Sequence, residues 1–252
     1  MIPPRETWHF DTRHVGQRVL VYDSLPSTND LAFEINEPGT VIVAETQTAG
    51  RGQQGRVWQS RPGCSLLMSV IVAPPPELNR AVVLIAWAAV AISDAILSLT
   101  GQQARIKWPN DLLLKGRKVC GILTEQQRST VVGIGLNLNQ THADFEQAEL
   151  PQATSLALAT GGNIEATAAL SMVLRKLDAE YDRLLAGEQV PLESDWKWRV
   201  GLLGRHVHLE LMDGSSLSGR LRDMSFEGIE IDSADGPATV IAPERLRQMR
   251  PA

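Results

Sequence analysis

The sequence is poor in cysteine: only Cys64 and Cys120 occur in 252 residues, in different apolar runs. With no Cys-x-x-Cys pair, a zinc ribbon and a redox dithiol are both disfavoured, and two buried thiols in a reducing compartment are expected. Positive charge is also short. Lys and Arg number 24 against 29 Asp and Glu, giving a formal charge of −5, the wrong sign for a protein built mainly to grip phosphate backbones. The opening segment MIPPRETWHF has no apolar stretch of the kind a signal peptide needs. The longest apolar run, Ala81 to Leu99, is interrupted by Ser93 and Asp94 and predicts a buried helix, not a membrane span. No internal repeat or low-complexity tract occurs. A cytoplasmic protein with no membrane partner is expected.

What is present is ordinary globular material: 43% of residues are apolar, and the length suits one medium domain plus a small one. Val19 to Tyr22 reads as a strand, and Ser27 with Asp30 resembles a capping box opening a short helix. Strand character recurs at Thr40–Ala44, Ser65–Val72, Ala104–Trp108, Val119–Glu125 and Val131–Asn137. A long apolar helix is expected from about Arg80 to Leu99, with Gly101 as terminator. Ile164–Leu185 is the clearest amphipathic helix, with Leu170, Val173, Leu174, Leu177, Tyr181 and Leu184 on one stripe. Beyond Gly204 come four short β-rich runs, 207–211, 216–223, 228–231 and 238–241. Turns at Asp213-Gly214, Glu227-Gly228 and Asp235-Gly236 separate them. That pattern predicts a small β-barrel appended to an α/β domain.

Gly50 to Val57 is a polar, glycine-rich loop that satisfies several phosphate-loop templates at once. The dinucleotide fingerprint fails because the next element is a strand, not a helix. The nucleotide-triphosphatase loop fails because Arg56-Val57 stands where Lys-Ser/Thr is required. The protein-kinase reading fails for want of His-Arg-Asp and Asp-Phe-Gly. What survives is exposed backbone N–H with two arginines, Arg51 and Arg56, suited to an anion. Alone, the segment reads equally as a solvated surface loop.

Ile106-Lys107-Trp108-Pro109-Asn110-Asp111 sets a lysine at a strand end before a rigid turn. Asn110 and Asp111 offer an amide oxygen and a carboxylate, suited to magnesium or ribose hydroxyls; alone they form an ordinary turn. Together the two segments supply what a carboxylate attacking the α-phosphate of ATP requires, namely cations where charge develops.

Ser27-Thr28-Asn29, AETQTAGRGQQGRVW (44–58), KWPNDLLL (107–114), KVCGILTE (118–125) and VVGIGLNLN (131–139) resemble, in order, the signature set of biotin–protein ligases. The resemblance spans essentially the whole chain. It implies an α+β fold with a catalytic domain (1–201) like that of class II aminoacyl-tRNA synthetases, an antiparallel or mixed sheet flanked by helices. An SH3-like C-terminal domain (202–252) follows. It further implies activation of biotin by ATP and Mg²⁺, with no tightly bound prosthetic group. Biotin is then transferred to a lysine of a biotin carboxyl carrier protein domain by a monomer or homodimer. On the resemblance, Ser27, Thr28, Asn29, Gln47, Gly52 and Gln53 contact biotin, with Arg51 and Lys107 as the catalytic pair. Arg51 lies near the biotin carboxylate, and Lys107 bridges it to the α-phosphate. Gly121, Ile122, Leu123, Gly133, Ile134 and Gly135 wall the ring pocket. Arg56, Trp58, Asn110 and Asn137 serve ATP, Trp58 by stacking on adenine, and Asp111 with Asn110 holds the magnesium.

Two departures stand out. Gln53 replaces the second arginine of the usual Gly-Arg-Gly-Arg, and Ile241-Ala242-Pro243-Glu244 lacks the expected glycine before the glutamate. About twenty-six residues precede Ser27, too few for the helix-turn-helix domain of regulatory members, so a stand-alone enzyme without specific DNA binding is expected. His206 and His208 read as a surface pair with no third metal ligand near, and Trp196 and Trp198 as packing residues. Two rivals remain: a lipoate or octanoate ligase of the same fold, and a nucleic-acid- or peptide-binding module using the C-terminal barrel.

Overall fold

The computed structural model describes residues 2–232 and 238–252. Its first half runs β1 (Glu6–Trp8), β2 (Arg18–Leu25), α1 (Thr28–Ile35), β3 (Thr40–Gln47), β4 (Ser65–Val72), α2 (Ala81–Thr100), β5 (Arg105–Lys107), β6 (Asp111–Leu114), β7 (Arg117–Gln126) and β8 (Thr130–Asn137). Helices α3 (His142–Gln147), α4 (Leu156–Thr160), α5 (Ala166–Leu185) and α6 (Gln189–Val200) follow. The chain closes with β9 (His206–Leu211), β10 (Ser216–Met224), β11 (Ile229–Asp232), β12 (Thr239–Ile241) and β13 (Leu246–Pro251).

The first eight strands form one mixed sheet in the order β1-β2-β3-β4-β8-β7-β6-β5, antiparallel except for the β2–β3 pair. β4 and β8 are buried at every position, so their apolar residues do not alternate with polar ones: both faces are covered. One face packs under α2 and α5. The other carries Leu31 and Ala32 of α1 against Leu20, Ile42 and Ile71. Helix α2 is apolar nearly all round because it lies inside the protein, where Trp87 donates its indole N–H to the Leu177 carbonyl at 3.0 Å. Gly101 ends it at φ 67°. The predicted stripe of α5 is buried throughout, although the helix starts at Ala166, because Glu165 caps the N–H groups of Thr167 and Ala168.

Three features depart from the sequence reading. Ser27 sits at the N-cap of α1 but makes no capping bond; Asp30 is turned instead to Arg51, a charge-assisted pair at 2.7 Å, and Gln47 accepts the Thr28 N–H. Asp111 is not in a turn: it opens β6, an unforeseen strand whose hairpin with β5 pairs Asp111 with Lys107 across a cis Trp108–Pro109 bond. Cys64 is only partly buried, whereas Cys120 is fully buried and its thiol is pushed up by desolvation.

The last five strands form a second antiparallel sheet, ordered β12-β11-β10-β9-β13. The Asp213-Gly214 turn is closed by Asp213 accepting from Ser215, and Gly214 takes φ +85°; the Asp235-Gly236 turn falls outside the described residues. His206 and His208 lie exposed on β9, and among the described residues no metal-ligand cluster forms. Trp196 of α6 is buried between Trp108 and Phe226, with ring centroids 5.6 and 5.4 Å away, whereas Trp198 is 56% exposed under Arg105 and Arg199. Trp108 also donates to the Leu246 carbonyl at 3.2 Å, and Arg80 before α2 pairs with Glu244 and Glu227. The small sheet is therefore seated directly behind the Lys107 turn.

Candidate active site: a narrow pocket opening into a wide cavity

The pocket begins where α1 meets the centre of the sheet. Ser27, Thr28 and Asn29 are almost wholly buried there. A buried polar group needs partners, and Thr28 and Asn29 have them, whereas the Ser27 hydroxyl makes no side-chain bond among the described residues. Gln47 accepts from the Thr28 N–H at 2.8 Å and from its hydroxyl at 3.0 Å. The Ser69 hydroxyl reaches Thr28 Oγ1 at 2.7 Å and Asn29 Oδ1 at 2.5 Å. Asn29 Nδ2 donates to Glu125 at 2.6 Å. Across from this cluster, β7 and β8 pair Gly121 with Gly135 and Leu123 with Gly133. A side chain at Gly133 would meet Asn29 Oδ1 at 2.5 Å, and one at Gly135 would meet the Trp58 ring at 2.5 Å. These glycines let polar and aromatic groups lie on bare backbone. The enclosed space is about 50 Å³.

Gly50–Trp58 folds as a miniature hairpin rather than an irregular loop. Arg51 bridges to Val57, Gly52 N–H reaches the Arg56 carbonyl at 2.7 Å, and Trp58 N–H reaches Gly50 at 2.9 Å. Its tip takes left-handed backbone at Gln54 (φ 59°) and Gly55 (φ 73°). Arg51 is not free. It forks onto Asp30 at 2.7 and 2.9 Å and touches Glu125 at 3.1 Å. Hydrogen bonding to Asp30, opposed by partial burial and reinforced by Glu125, raises the guanidinium above its ordinary value, so Arg51 stays a cation throughout. Trp58 lies flat over Gly121 and Gly135, its indole N–H buried without a partner.

A second cavity of about 770 Å³ continues from the first, lined by the hairpin, the Lys107–Asp111 turn, residues 149–153 and the small sheet at Glu210 and Arg247. Arg56, Lys107, Asn110, Asp111 and Asn137 all line it. Their freedom differs. Lys107 is exposed and makes no ion pair or hydrogen bond among the described residues. Asn110 locks the turn by donating to the Ile122 carbonyl at 2.6 Å, which leaves its Oδ1 available. The Asn137 carboxamide is engaged on both sides, with Thr154 and Gln140 at 3.0 Å. Asp111 holds Lys118 at 2.6 Å.

Lys118 is the residue that sequence reasoning missed. It lines both cavities, its Nζ lies 5.3 Å from the Trp58 ring centre, and its backbone is clamped by Gln152 and Thr154. Lys107 lines only the wide cavity. A signal existed: Lys118 opens the run KVCGILTE much as Lys107 opens KWPNDLLL. Asp30, Glu125 and Ser69 were also missed, since their partners lie on distant elements.

The Asn110 amide oxygen, with the Asp111 carboxylate once Lys118 turns to an anion, fits a magnesium ion bound mainly through phosphates, since Mg²⁺ keeps most of its waters. It does not fit an all-protein cage.

The family model of the biotin/lipoate A/B protein ligase family matches residues 21–139. The bifunctional ligase/repressor BirA of Bacillus subtilis is 35% identical over 228 residues, covering 86% of this chain and 70% of that protein. The biotin–[acetyl-CoA-carboxylase] ligase of Paracoccus denitrificans is 30% identical, covering 84% of this chain and 87% of that protein. The structure of a biotin protein ligase from Aquifex aeolicus in complex with biotin and ATP superposes with a TM-score of 0.79 at 27% identity, covering 93% of this chain and 99% of that one.

Proposed function

The chain belongs to the biotin/lipoate A/B protein ligase family as a biotin–protein ligase, and from that premise we propose how its side chains divide the reaction. The enzyme activates biotin with ATP, releasing pyrophosphate, and passes the biotinyl group to a carboxylase, releasing AMP.

In this reading the bicyclic head of biotin lies on Gly133 and meets the polar cluster of Ser27, Thr28, Asn29 and Gln47. An opening of about 50 Å³ holds only one or two waters, so biotin enters as the Trp58 ring and the glycine hairpin shift. Trp58 then offers its face to the adenine. Lys118, at the junction, draws the biotin carboxylate and the α-phosphate together and stabilises the charge that grows as the carboxylate oxygen attacks phosphorus. Arg51 and Arg56 assist from the hairpin, with Gly52 and Gln53 at its inner edge, and Lys107 serves the departing pyrophosphate. Asn110 and Asp111 would hold magnesium, which neutralises phosphate charge when bound. The acceptor lysine amine then attacks the acyl carbon, and AMP leaves. We take residues 202–252, with their short antiparallel strands, as an SH3-like domain that closes the wide cavity. The larger sheet we take as related to the class II aminoacyl-tRNA synthetase catalytic domain.

The observation that carries these roles is the meeting of two cavities of unequal size at one lysine. ATP–pyrophosphate exchange is the test. Exchange should require biotin and respond weakly to lipoate or octanoate; equal exchange with all three acids would overturn the assignment of the narrow pocket to the biotin head.

A further inference from the structure

Four side chains beside the narrow pocket form one connected ring, and a fifth, the buried Ser69, anchors it from below. Asn29 and Asp30 are neighbours at the start of α1. Asn29 donates to Glu125 Oε2 at 2.6 Å, Arg51 donates to the same oxygen at 3.1 Å, and Arg51 returns to Asp30 at 2.7 Å. Ser69, fully buried, fixes the opposite end of the Asn29 carboxamide. Glu125 is the only member that touches both a wall of the pocket and the glycine hairpin.

That placement has a chemical consequence. The Glu125 contact keeps the Asn29 nitrogen outward and its oxygen on Gly133, which fixes the hydrogen-bonding face shown to a ligand head. The same oxygen also holds Arg51. With two carboxylates on one guanidinium, the ring carries a net negative charge and repels an incoming acid until Arg51 turns toward it. Side-chain exposures of 38% for Arg51 and 28% for Glu125 leave that contact open to exchange with a ligand carboxylate.

We propose that Glu125 is a positioning residue that sets the Asn29 carboxamide and parks Arg51, so that filling the narrow pocket releases the glycine hairpin to act on the acid. The proposal rests on the assignment of that pocket to biotin, and its test separates the two.

Glu125→Gln keeps an acceptor oxygen for Asn29 but removes the charge that holds Arg51; Glu125→Ala removes both. Biotin-dependent pyrophosphate exchange would be measured for the wild type and both variants, together with the rate of tryptic cleavage after Arg51 and Arg56, with and without biotin. The alanine variant should raise the biotin KM roughly tenfold, the scale of a lost hydrogen bond to a charged group. The glutamine variant should keep that KM within about twofold. Without biotin its hairpin should be cut about threefold to fivefold faster than the wild type, with the gap closing once biotin is added. Equal KM values and equal cleavage in all three proteins would overturn the proposal, as would equal loss of biotin affinity in both variants, the mark of a structural role alone. The isosteric glutamine variant keeps the test valid if the alanine variant fails to fold. Wild-type exchange that ignores biotin would instead overturn the pocket's assignment.

Discussion

The narrow pocket and the wide cavity are neighbours built on opposite plans. The floor of the narrow one is made of strand centres and the first turn of a helix, and there the polar groups of Thr28, Asn29 and Ser69 are buried and bonded to one another or to Gln47 and Glu125. The wide one is made of hairpin tips and strand ends, is lined by cations, and borrows part of its wall from the second sheet. A pocket floor of fixed, buried polar groups discriminates between ligands, because a wrong ligand leaves buried partners unpaired. A wide, charged cavity supplies attraction with less selectivity. Discrimination in this enzyme should reside in the first and electrostatic work in the second, with Lys118 belonging to both.

The sharpest way to break that division is to remove the shared lysine. Lys118→Ala should lower biotin-dependent pyrophosphate exchange by roughly 10²–10³, the usual loss for one preorganised charge-stabilising group. Lys107→Ala should cost less and act through the ATP KM. If the two losses are equal in size and kind, the junction is not special. Next comes Gly133→Ala. Its methyl would meet Asn29 Oδ1 at 2.5 Å, and that oxygen cannot yield cheaply because Ser69 holds it. Overpacking of about 1–3 kcal/mol predicts a biotin affinity lower by roughly tenfold to a hundredfold, with nucleotide binding unchanged, as read by calorimetry.

Smaller effects follow at the boundary. Gln53 lines both cavities without carrying charge. Gln53→Arg should slow escape of the labelled adenylate by about tenfold, since a partly screened ion pair contributes about 1–1.5 kcal/mol; a filter assay showing equal release rates would leave Gln53 a neutral variant. Arg56 lines only the wide cavity, so Arg56→Ala should raise the ATP KM by about fivefold, the scale of an exposed charge contact, and spare the biotin KM.

The parts of the fold legible in the sequence are those whose burial is extreme. β4, β8 and α2 announce themselves as apolar runs, and the α5 stripe has a clean helical period. β6 was hidden because four residues following Pro109-Asn110 look like the remainder of a turn. α6 was hidden because Pro191 and mixed polarity mask a helix start. In the site, the glycines, Ser27–Asn29 and the two arginines were readable as motifs. The placement of Lys118 at the junction of the two cavities was not, because it depends on Asp111 across a hairpin and on the Trp58 ring beside it. Nor was Glu125, which meets Asn29 from 96 residues away. The expected capping box failed for a related reason: Asp30 was drawn off by an arginine that local sequence does not place beside it.

The order of strands in the larger sheet bears on how the protein behaves in a crowded cell. Its most apolar members, β4 and β8, lie side by side at the centre, while the margins are β1 and β5, of three residues each. A bare strand edge is a template on which another chain can add itself, and its hazard grows with the length of unpaired backbone. Three rungs at either margin give an incoming strand little to hold, and one margin, β5, is further shielded where Arg105 bonds to the Trp198 carbonyl of α6. The architecture thus keeps aggregation-prone sequence away from the margins of that sheet, and β5 adds two exposed cations of its own, Arg105 and Lys107.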